Sequence, residues 1–189
     1  MTDTSGAPMT LADHYPAGAQ VLFQGSEIHA KVAEMATGIR EVYGDEEITI
    51  VAVLHGALIF VADLMRALPM PMHLTAVVAS SYRGAATSPG ELEISLNSEL
   101  DIADRHVLLV DDILDTGRTL HRLKQVVATQ KPRSVRVAAL VDKPSRRVAE
   151  LQADFVGFEI PDLFIVGYGL DYNGHYRNLP DIVALPAGS

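Results

Sequence analysis

The segment from Val107 to Thr119 constrains this chain more than any other, because an apolar strand runs directly into acidic residues and then into a glycine-containing turn. Residues 107–110 have the continuous apolar pattern of a strand that is buried on both faces, and the polar residues that follow lie where such a strand ends and a helix begins. Ligands bind at this edge in open parallel sheets. The segment therefore predicts an α/β fold with a binding site after this strand.

The chemistry of the turn predicts a phosphorylated sugar as the ligand. Residues 115–119 read Asp-Thr-Gly-Arg-Thr, so hydroxyl groups and successive backbone amides can face one anion at a helix N-terminus. The adjacent carboxylates of Asp111 and Asp112 would repel a phosphate but accept hydrogen bonds from a ribose 2′,3′-diol. No lysine follows the glycine, so this is not a nucleotide-triphosphate loop. The alternative is an acidic loop that only caps the next helix.

Size and composition favour one soluble domain. The chain has 189 residues, of which 48% are hydrophobic and 21% are charged, and it contains no cysteine. The longest uncharged apolar run, residues 48–62, is shorter than the roughly 20 residues that span a bilayer. The N-terminus has neither the basic start nor the apolar core of a signal peptide. We expect a cytoplasmic protein that does not insert into a membrane.

The net charge of −9 argues against broad nucleic-acid binding, which needs many cationic contacts to phosphates. An acidic protein can still hold a polyanion if a divalent cation bridges the two. Hard cations prefer carboxylate and phosphate oxygens. The charge itself says little about small-molecule substrates, and we expect a divalent cation to bridge the chain and its polyanionic ligand.

Strands alternate with helices along most of the chain, which indicates a mostly parallel central sheet flanked by helices. The pattern predicts a single domain over 18–189 after a mobile lead-in at 1–17, and a lid-like loop at 81–90. Strands are expected at 21–23, 48–54, 73–80, 91–96, 106–110 and 135–141, with short apolar runs at 155–158, 164–167 and 182–185. Helices are expected at 25–44, 57–68 and 117–129, the last with Leu120, Leu123, Val126 and Val127 facing inward.

The full motif, four apolar residues, two acids, two apolar residues and Asp-Thr-Gly-x-Thr, resembles the phosphoribosyl-pyrophosphate motif of the type I phosphoribosyltransferases. Further matches extend this likeness over nearly the whole chain and point to the 6-oxopurine branch, the hypoxanthine and hypoxanthine-guanine enzymes. The resemblance implies the fold of that family, with a small hood built from residues of about 18–25 and 150–189. It implies purine salvage with Mg²⁺, and a homodimer or homotetramer.

For the motif itself, the resemblance implies that Asp111 and Asp112 hold the ribose hydroxyls, directly or through metal and water. Asp115 would be the catalytic acid beside purine N7. The remaining residues of the turn would surround the 5′-phosphate: Thr116, Gly117, Arg118 and Thr119.

The resemblance also implies roles outside the motif. His55 and Gly56 look like the pyrophosphate loop with its strained or cis peptide, although His55 stands where Lys or Arg is more usual. Ser81 and Tyr82 look like the start of the flexible catalytic loop, which excludes water. Arg177 would contact pyrophosphate.

In the segment 142–147, Lys143 would be directed at the purine 6-oxo group, and adenine, which presents an amino donor there, should be rejected. Phe164 would stack on the base, the Ile165 backbone would read its edge, and Asp171 would bind Mg²⁺. Taken singly, Lys143 and Arg177 would be surface residues and Phe164 a core residue.

Two other functions fit parts of the pattern. The same fold could bind RNA without catalysis, as in the family's pyrimidine-operon regulator, through a patch formed by Arg133, Arg136, Arg146 and Arg147. A phospho-acceptor signalling domain also places an acidic pair and a lysine at strand ends. Its acidic pair lies near the first strand, however, whereas here the pair lies past mid-chain and precedes the phosphate turn.

Overall fold

The computed structural model of the protein describes residues 15–81, 92–95 and 101–186, and for residues 79–81 and 92–95 only the backbone is described. The elements follow in the order β1 (Gln20–Phe23), α1 (Gly25–Tyr43), β2 (Ile48–Leu54), α2 (Leu58–Ala67), β3 (Met72–Ser81), β4 (Leu92–Ser95), β5 (His106–Leu114), α3 (Arg118–Ala128), β6 (Ser134–Asp142), a 3₁₀ helix (Pro144–Arg146), β7 (Phe155–Glu159), β8 (Ile165–Val166) and β9 (Ile182–Ala184). Within these ranges, no helix has the length and apolar character needed to cross a bilayer.

The central sheet has six strands in the order β4-β3-β2-β5-β6-β7. Five of them are parallel, and only β4 runs antiparallel, against β3. The predicted mostly parallel α/β sheet is confirmed. Since β2 and β5 lie next to each other at the centre, the loops that follow them meet at the same edge of the sheet.

Helices cover both faces of the sheet, and the strand residues alternate between them. Leu108 and Val110 of β5 pack with residues of α1 and α2. Val107 and Leu109 pack on the opposite face with residues of α3. Because both faces are covered, the central strands are apolar without the alternation of a half-exposed strand.

Local sequence explains where the helices begin and end. The Gln24 backbone N–H donates to the Glu27 carboxylate at 2.7 Å at the start of α1, and Gly44, with φ of 62°, ends this helix. In α3, Leu120, Leu123 and Val127 are buried. Val126, which we expected to face inward, is only partly buried because it lies about 90° around the helix from the centre of that stripe.

Strand β5 is longer than the apolar run predicts. The run ends at Val110, but the strand continues to Leu114, so both aspartates of the motif lie within it. Asp111 is paired with Ala139, and Leu114 with Asp142 of β6. The expectation that the strand ends before the acids was wrong, because the ladder with β6 depends on backbone groups and not on side-chain polarity.

A second, antiparallel sheet of three strands, β1-β9-β8, joins the two ends of the domain. Asp181 reinforces this junction, since its carboxylate accepts hydrogen bonds from the Gly25 N–H at 2.8 Å and from the Tyr15 hydroxyl. The hood expected near 18–25 and 150–189 corresponds to this sheet. Strand β7, which lies within the range 150–189, pairs with β6 in the central sheet.

Replacing Leu108 with Ala should lower the free energy of unfolding by about 2–5 kcal/mol, because this fully buried side chain lies in the central strand. Leu74→Ala is the control. Leu74 is 52% exposed, and its truncation should cost less than about 0.5 kcal/mol. Urea unfolding of both variants measures the difference, and equal losses would contradict the position assigned to the core.

Candidate active site

A cleft of about 300 Å³ lies at the carboxyl ends of β2 and β5. The residues that line it come from these strand ends, the loop after each and the first turn of α3: Val53, Leu54, Gly56, Asp111, Asp112, Ile113, Leu114, Asp115, Thr116, Gly117, Thr119 and Leu120. The structure thus brings together all the residues predicted to bind ribose and phosphate except Arg118, which begins α3 and does not line the cleft.

The two aspartates of β5 are almost buried, with 8% of each residue exposed. The Asp111 carboxylate accepts the Asp112 N–H at 3.0 Å, and the Asp112 carboxylate accepts the Ile113 N–H at 2.9 Å. Burial raises the pKa of Asp111 well above its ordinary value, and the neighbouring Asp112 charge raises it further. Burial also raises the pKa of Asp112. Two carboxylates held at the cleft with few internal donors are suited to accept hydrogen bonds from a ligand.

Gly56 is required because its α-carbon lies directly against one of these carboxylates. A Cβ at this position would lie 1.8 Å from Oδ2 of Asp112, far inside contact distance. The preceding Leu54–His55 peptide is cis, as the resemblance implies for this loop. His55 itself is exposed. The backbone of the loop after β2 therefore packs on Asp112, while the imidazole of His55 faces the solvent.

The turn after β5 has the form of an anion site. Gly117, with φ of 79°, precedes α3 and has no side chain to cap this helix. In the first turn that the structure describes, the only side-chain contact to a backbone N–H is a long one of 3.5 Å, from the Arg118 N–H to the Thr116 hydroxyl. In the part of the chain that the structure describes, the backbone N–H groups of Thr116, Gly117 and Thr119 contact no hydrogen-bond acceptor. Uncapped N–H groups at a helix N-terminus attract an anion.

Asp115 lies at the rim of the cleft and is paired with an arginine. Nε of Arg146 is 3.2 Å from its Oδ1, and Nη1 of Arg146 is 3.6 Å from Oδ2 of Asp162. The next residue, Arg147, donates to the backbone carbonyl of Asp115 and pairs with Asp142. No sequence pattern assigned these arginines to the turn. The parallel pairing of β5 with β6 places the ends of both strands side by side. That pairing could have indicated that the residues after β6 contact the turn after β5.

Lys143 lies at the end of β6 and is 6% exposed. Its Nζ donates to the backbone carbonyl of Leu163, and burial lowers the pKa of its ammonium group. This lysine is therefore not a solvated surface residue.

The segment that carries Leu163 continues into Phe164, which is 53% exposed and contacts Tyr172 edge to face, with ring centroids 5.4 Å apart. Phe164 is consequently not a core residue.

The residues after Phe164 form β8 and the loop that follows it. Ile165 is buried in β8 and pairs with Ala184. Arg177 is 2.8 Å from the Asp171 carboxylate and donates to the Gly169 carbonyl at 2.6 Å. The positive charge of Arg177 also lowers the pKa of Asp112, which opposes the larger effect of burial.

The predicted metal ligands are not preassembled. Among residues 15–81, 92–95 and 101–186, no group of three His, Cys, Asp or Glu side chains lies close enough to hold a metal ion. Asp171, which was expected to join Asp111 and Asp112 as a ligand, instead accepts the Gly174 N–H at 2.7 Å and pairs with Arg177.

The last two predicted residues, Ser81 and Tyr82, were expected at the start of a flexible loop. Ser81 is the final residue of β3, and Tyr82 lies outside the described residues.

A parallel α/β sheet with buried carboxylates and an uncapped helix N-terminus at one cleft defines a protein that binds an anionic, hydroxyl-bearing ligand at its strand ends. The chain belongs to the phosphoribosyl transferase domain family, whose model matches residues 20–173.

Similar proteins carry more specific names. The chain is 38% identical over 162 residues to the hypoxanthine phosphoribosyltransferase of Haemophilus influenzae, covering 84% of this chain and 90% of that protein. It is 40% identical over 166 residues to the hypoxanthine-guanine phosphoribosyltransferase of Bacillus subtilis, covering 88% and 92%. A crystal structure of a hypoxanthine-guanine phosphoribosyltransferase from Bacillus anthracis superimposes with a TM-score of 0.81 at 38% identity, covering 88% of this chain and 97% of that chain.

Replacing Asp111 with Asn should stabilise the ligand-free protein at neutral pH while weakening ligand binding. The pKa of Asp111 is 3.8 in the unfolded chain and is raised in the folded state. The free energy of unfolding of the wild type therefore falls as the pH rises from 3.8 through the raised pKa. Asn removes this cost and retains an oxygen for the Asp112 N–H. Calorimetry with a chelator present should show a higher Tm for Asp111→Asn than for the wild type at pH 8. The Tm should rise by about 2–4 °C for each kcal/mol gained in the free energy of unfolding, and it should not rise near pH 4.

Asp45→Asn provides the control for this measurement, because the Asp45 side chain is 96% exposed. Its Tm should stay near that of the wild type at both pH values. A lower Tm of Asp111→Asn at pH 8 would contradict the electrostatic account of the pair.

Proposed function

We propose that the protein transfers the 5-phosphoribosyl group of phosphoribosyl pyrophosphate to N9 of a 6-oxopurine, hypoxanthine or guanine. The products are IMP or GMP and pyrophosphate, which makes this a purine-salvage enzyme. The observation that carries the choice of base is the buried ammonium group of Lys143, which donates to the carbonyl of Leu163, the residue before the exposed Phe164. The names of the similar proteins support the same choice.

The base subsite follows from these two side chains. Lys143 has three N–H donors, and the Leu163 carbonyl accepts one of them. A second N–H could donate to the 6-oxo group of the purine. A hydrogen bond from a charged donor of this kind would stabilise the bound base by about 1.5–3 kcal/mol. The exposed face of Phe164 offers a surface on which a purine can stack. Adenine would present an amino donor to the same ammonium group and should be rejected.

The sugar phosphate is assigned to the cleft. The free N–H groups and hydroxyls of the turn at 116–119 would bind the 5′-phosphate. Asp111 and Asp112 would accept hydrogen bonds from the ribose hydroxyls. The backbone of Gly56 and the guanidinium of Arg177 would face the pyrophosphate.

The carboxylates fit Mg²⁺ bound together with its substrate. Mg²⁺ is commonly held by one or two carboxylates plus substrate phosphates and not by an all-protein cage. The two cleft aspartates match that arrangement, since the described residues place no third His, Cys, Asp or Glu side chain with them. When bound, the ion would supply positive charge to the pyrophosphate oxygens. Asp111 and Asp112 are the residues that would hold it, with Asp171 as the third candidate.

In the reaction, the bond between the anomeric carbon and N9 forms while the carbon–oxygen bond to pyrophosphate breaks, and pyrophosphate leaves with the electron pair. The transition state has oxocarbenium character, so positive charge develops on the ribose near the aspartates of β5. Asp115 would take up the proton that purine N7 releases as N9 bonds to the anomeric carbon. Orientation and electrostatic stabilisation should dominate the rate, since a positioned acid or base contributes roughly 10²- to 10⁴-fold.

The two alternative functions are less well supported. Each arginine of the suggested RNA-binding patch pairs with a carboxylate: Arg133 with Glu46 and Asp104, Arg136 with Asp154, Arg146 with Asp115 and Asp162, and Arg147 with Asp142. These pairs neutralise much of the charge that a phosphate backbone would need. The phospho-acceptor alternative was wrong, because the chain belongs to the phosphoribosyl transferase domain family.

With phosphoribosyl pyrophosphate and Mg²⁺, we expect a nucleoside monophosphate from hypoxanthine or guanine and none from adenine, as measured by chromatography of the products. Lys143→Gln should lower kcat/KM for the 6-oxopurine by about 10- to 100-fold, because a charged hydrogen bond is lost. Lys124→Gln, in the middle of α3, serves as the matched control and should leave kcat/KM unchanged. Product from adenine alone would contradict the role of Lys143.

Replacing Asp115 with Asn should lower kcat by about 10²-fold or more, because the amide keeps the shape of the side chain but cannot take up a proton. IMP affinity, measured by calorimetry, should change much less. Asp104→Asn is the control, because Asp104 is an exposed aspartate paired with Arg133 outside the cleft. Unchanged turnover in Asp115→Asn would remove this residue from the mechanism.

A further inference from the structure

Arg147 lies behind the turn at 114–117 and does not line the cleft. Its Nη1 donates to the carbonyl oxygens of Leu114 at 3.0 Å and Asp115 at 2.5 Å. The next carbonyl, that of Thr116, accepts the N–H groups of Val148 and Ala149, both at 3.1 Å. Three successive carbonyls are thus held by Arg147 and the two residues that follow it.

The orientation of these carbonyls decides where the amides of the turn are directed. In a trans peptide the C=O and the following N–H point to opposite sides of the chain. When the carbonyls of Asp115 and Thr116 are held on the side of Arg147, the N–H groups of Thr116 and Gly117 are directed away from it. Within the described chain these N–H groups contact no acceptor. A carbonyl oxygen directed at a phosphate would repel it, so a phosphate site made of backbone amides needs this orientation.

The side chain of Arg147 is itself fixed in place. Its Nη2 pairs with the carboxylate of Asp142, and the two side chains are only 15% and 16% exposed. Its Cδ packs on Gly117, where an added Cβ would lie 3.0 Å away. A guanidinium has five N–H donors in a rigid fork, so one group can contact Asp142 and two carbonyls together.

The other contacts of the turn do not duplicate this role. The Leu114 carbonyl also accepts the Lys143 N–H at 3.0 Å, so the sheet holds that peptide without help. In contrast, Arg147 is the donor that the described residues provide to the Asp115 carbonyl. Arg146, although adjacent, contacts carboxylate side chains and has 47% of its side chain exposed.

We infer that Arg147 is a positioning residue that holds the Asp115 carbonyl away from the cleft and thereby directs the backbone amides of 116–117 at the 5′-phosphate of the substrate. This inference rests on the proposed function, which places the phosphate at the turn. Arg147 touches neither substrate nor reacting atoms. Its loss therefore weakens binding of the 5′-phosphate selectively, while groups bound elsewhere in the cleft are held as before.

The test uses the full chain with Arg147→Lys, which keeps the charge but loses the fork. Calorimetry should show IMP affinity at least about tenfold weaker, and KM for phosphoribosyl pyrophosphate should rise by a similar factor. The affinity for pyrophosphate with Mg²⁺, assigned to Gly56 and Arg177, should stay within about twofold of the wild type. A purely structural role would not separate these two affinities.

Arg136→Lys is the matched control. It alters another arginine–aspartate pair, Arg136 with Asp154 at 3.3 Å, that does not line the cleft. Both affinities should remain at the wild-type values. Asp142→Asn is the second variant, which weakens the anchor of Arg147 and should weaken IMP binding by a smaller factor. It decides the outcome if Arg147→Lys fails to fold.

The outcomes separate this inference from the proposed function. Wild-type IMP affinity in Arg147→Lys, or equal losses for IMP and pyrophosphate, would overturn the role of Arg147 alone. If Arg147→Lys does not fold, an unchanged IMP affinity in Asp142→Asn has the same meaning. Failure of the wild-type chain to bind IMP would instead overturn the proposed function, whatever the variants do.

Discussion

The contact between the Asp112 carboxylate and the α-carbon of Gly56 is the constraint on which the site depends. It brings the end of β2 against β5, and only a glycine fits because a Cβ would lie 1.8 Å from Oδ2. The close approach of Gly56 contributes to the burial of Asp112, and burial raises the pKa of both aspartates. Packing, electrostatics and the shape of the cleft therefore have one common origin.

A residue of the hood, Gly169, packs against the same glycine, Gly56. A Cβ at Gly169 would lie 2.2 Å from the carbonyl oxygen of Gly56, so two backbones meet where a side chain has no room. Arg177 donates to the Gly169 carbonyl, and its charge partly offsets the burial of Asp112. Under the proposed function, these buried carboxylates, which reduce stability, serve as acceptors for the ribose hydroxyl groups. This conflict between folding and binding is typical of functional sites.

Much of the fold and part of the site could be predicted from individual segments. The strand at 48–54 and the helix that starts at Gly25 have the predicted bounds, because continuous apolar runs and glycines at helix ends are local signals. The end of β5 was misplaced because the acids remain in the ladder with β6. The burial of Lys143 could not be predicted from periodicity, since it depends on the carbonyl of Leu163, twenty residues away in the chain.

The sequence by itself determined the order of the elements, the apolar character of the central strands and the residue types of the turn at 115–119, because each depends on neighbours in the chain. Tertiary structure decided which groups meet at the cleft and behind it: Gly56 lies against Asp112, Arg146 pairs with Asp115, and Arg147 lies behind the turn. These contacts join residues 31 to 56 positions apart. They exist only because parallel strands bring their carboxyl ends to one edge of the sheet, which no local pattern specifies.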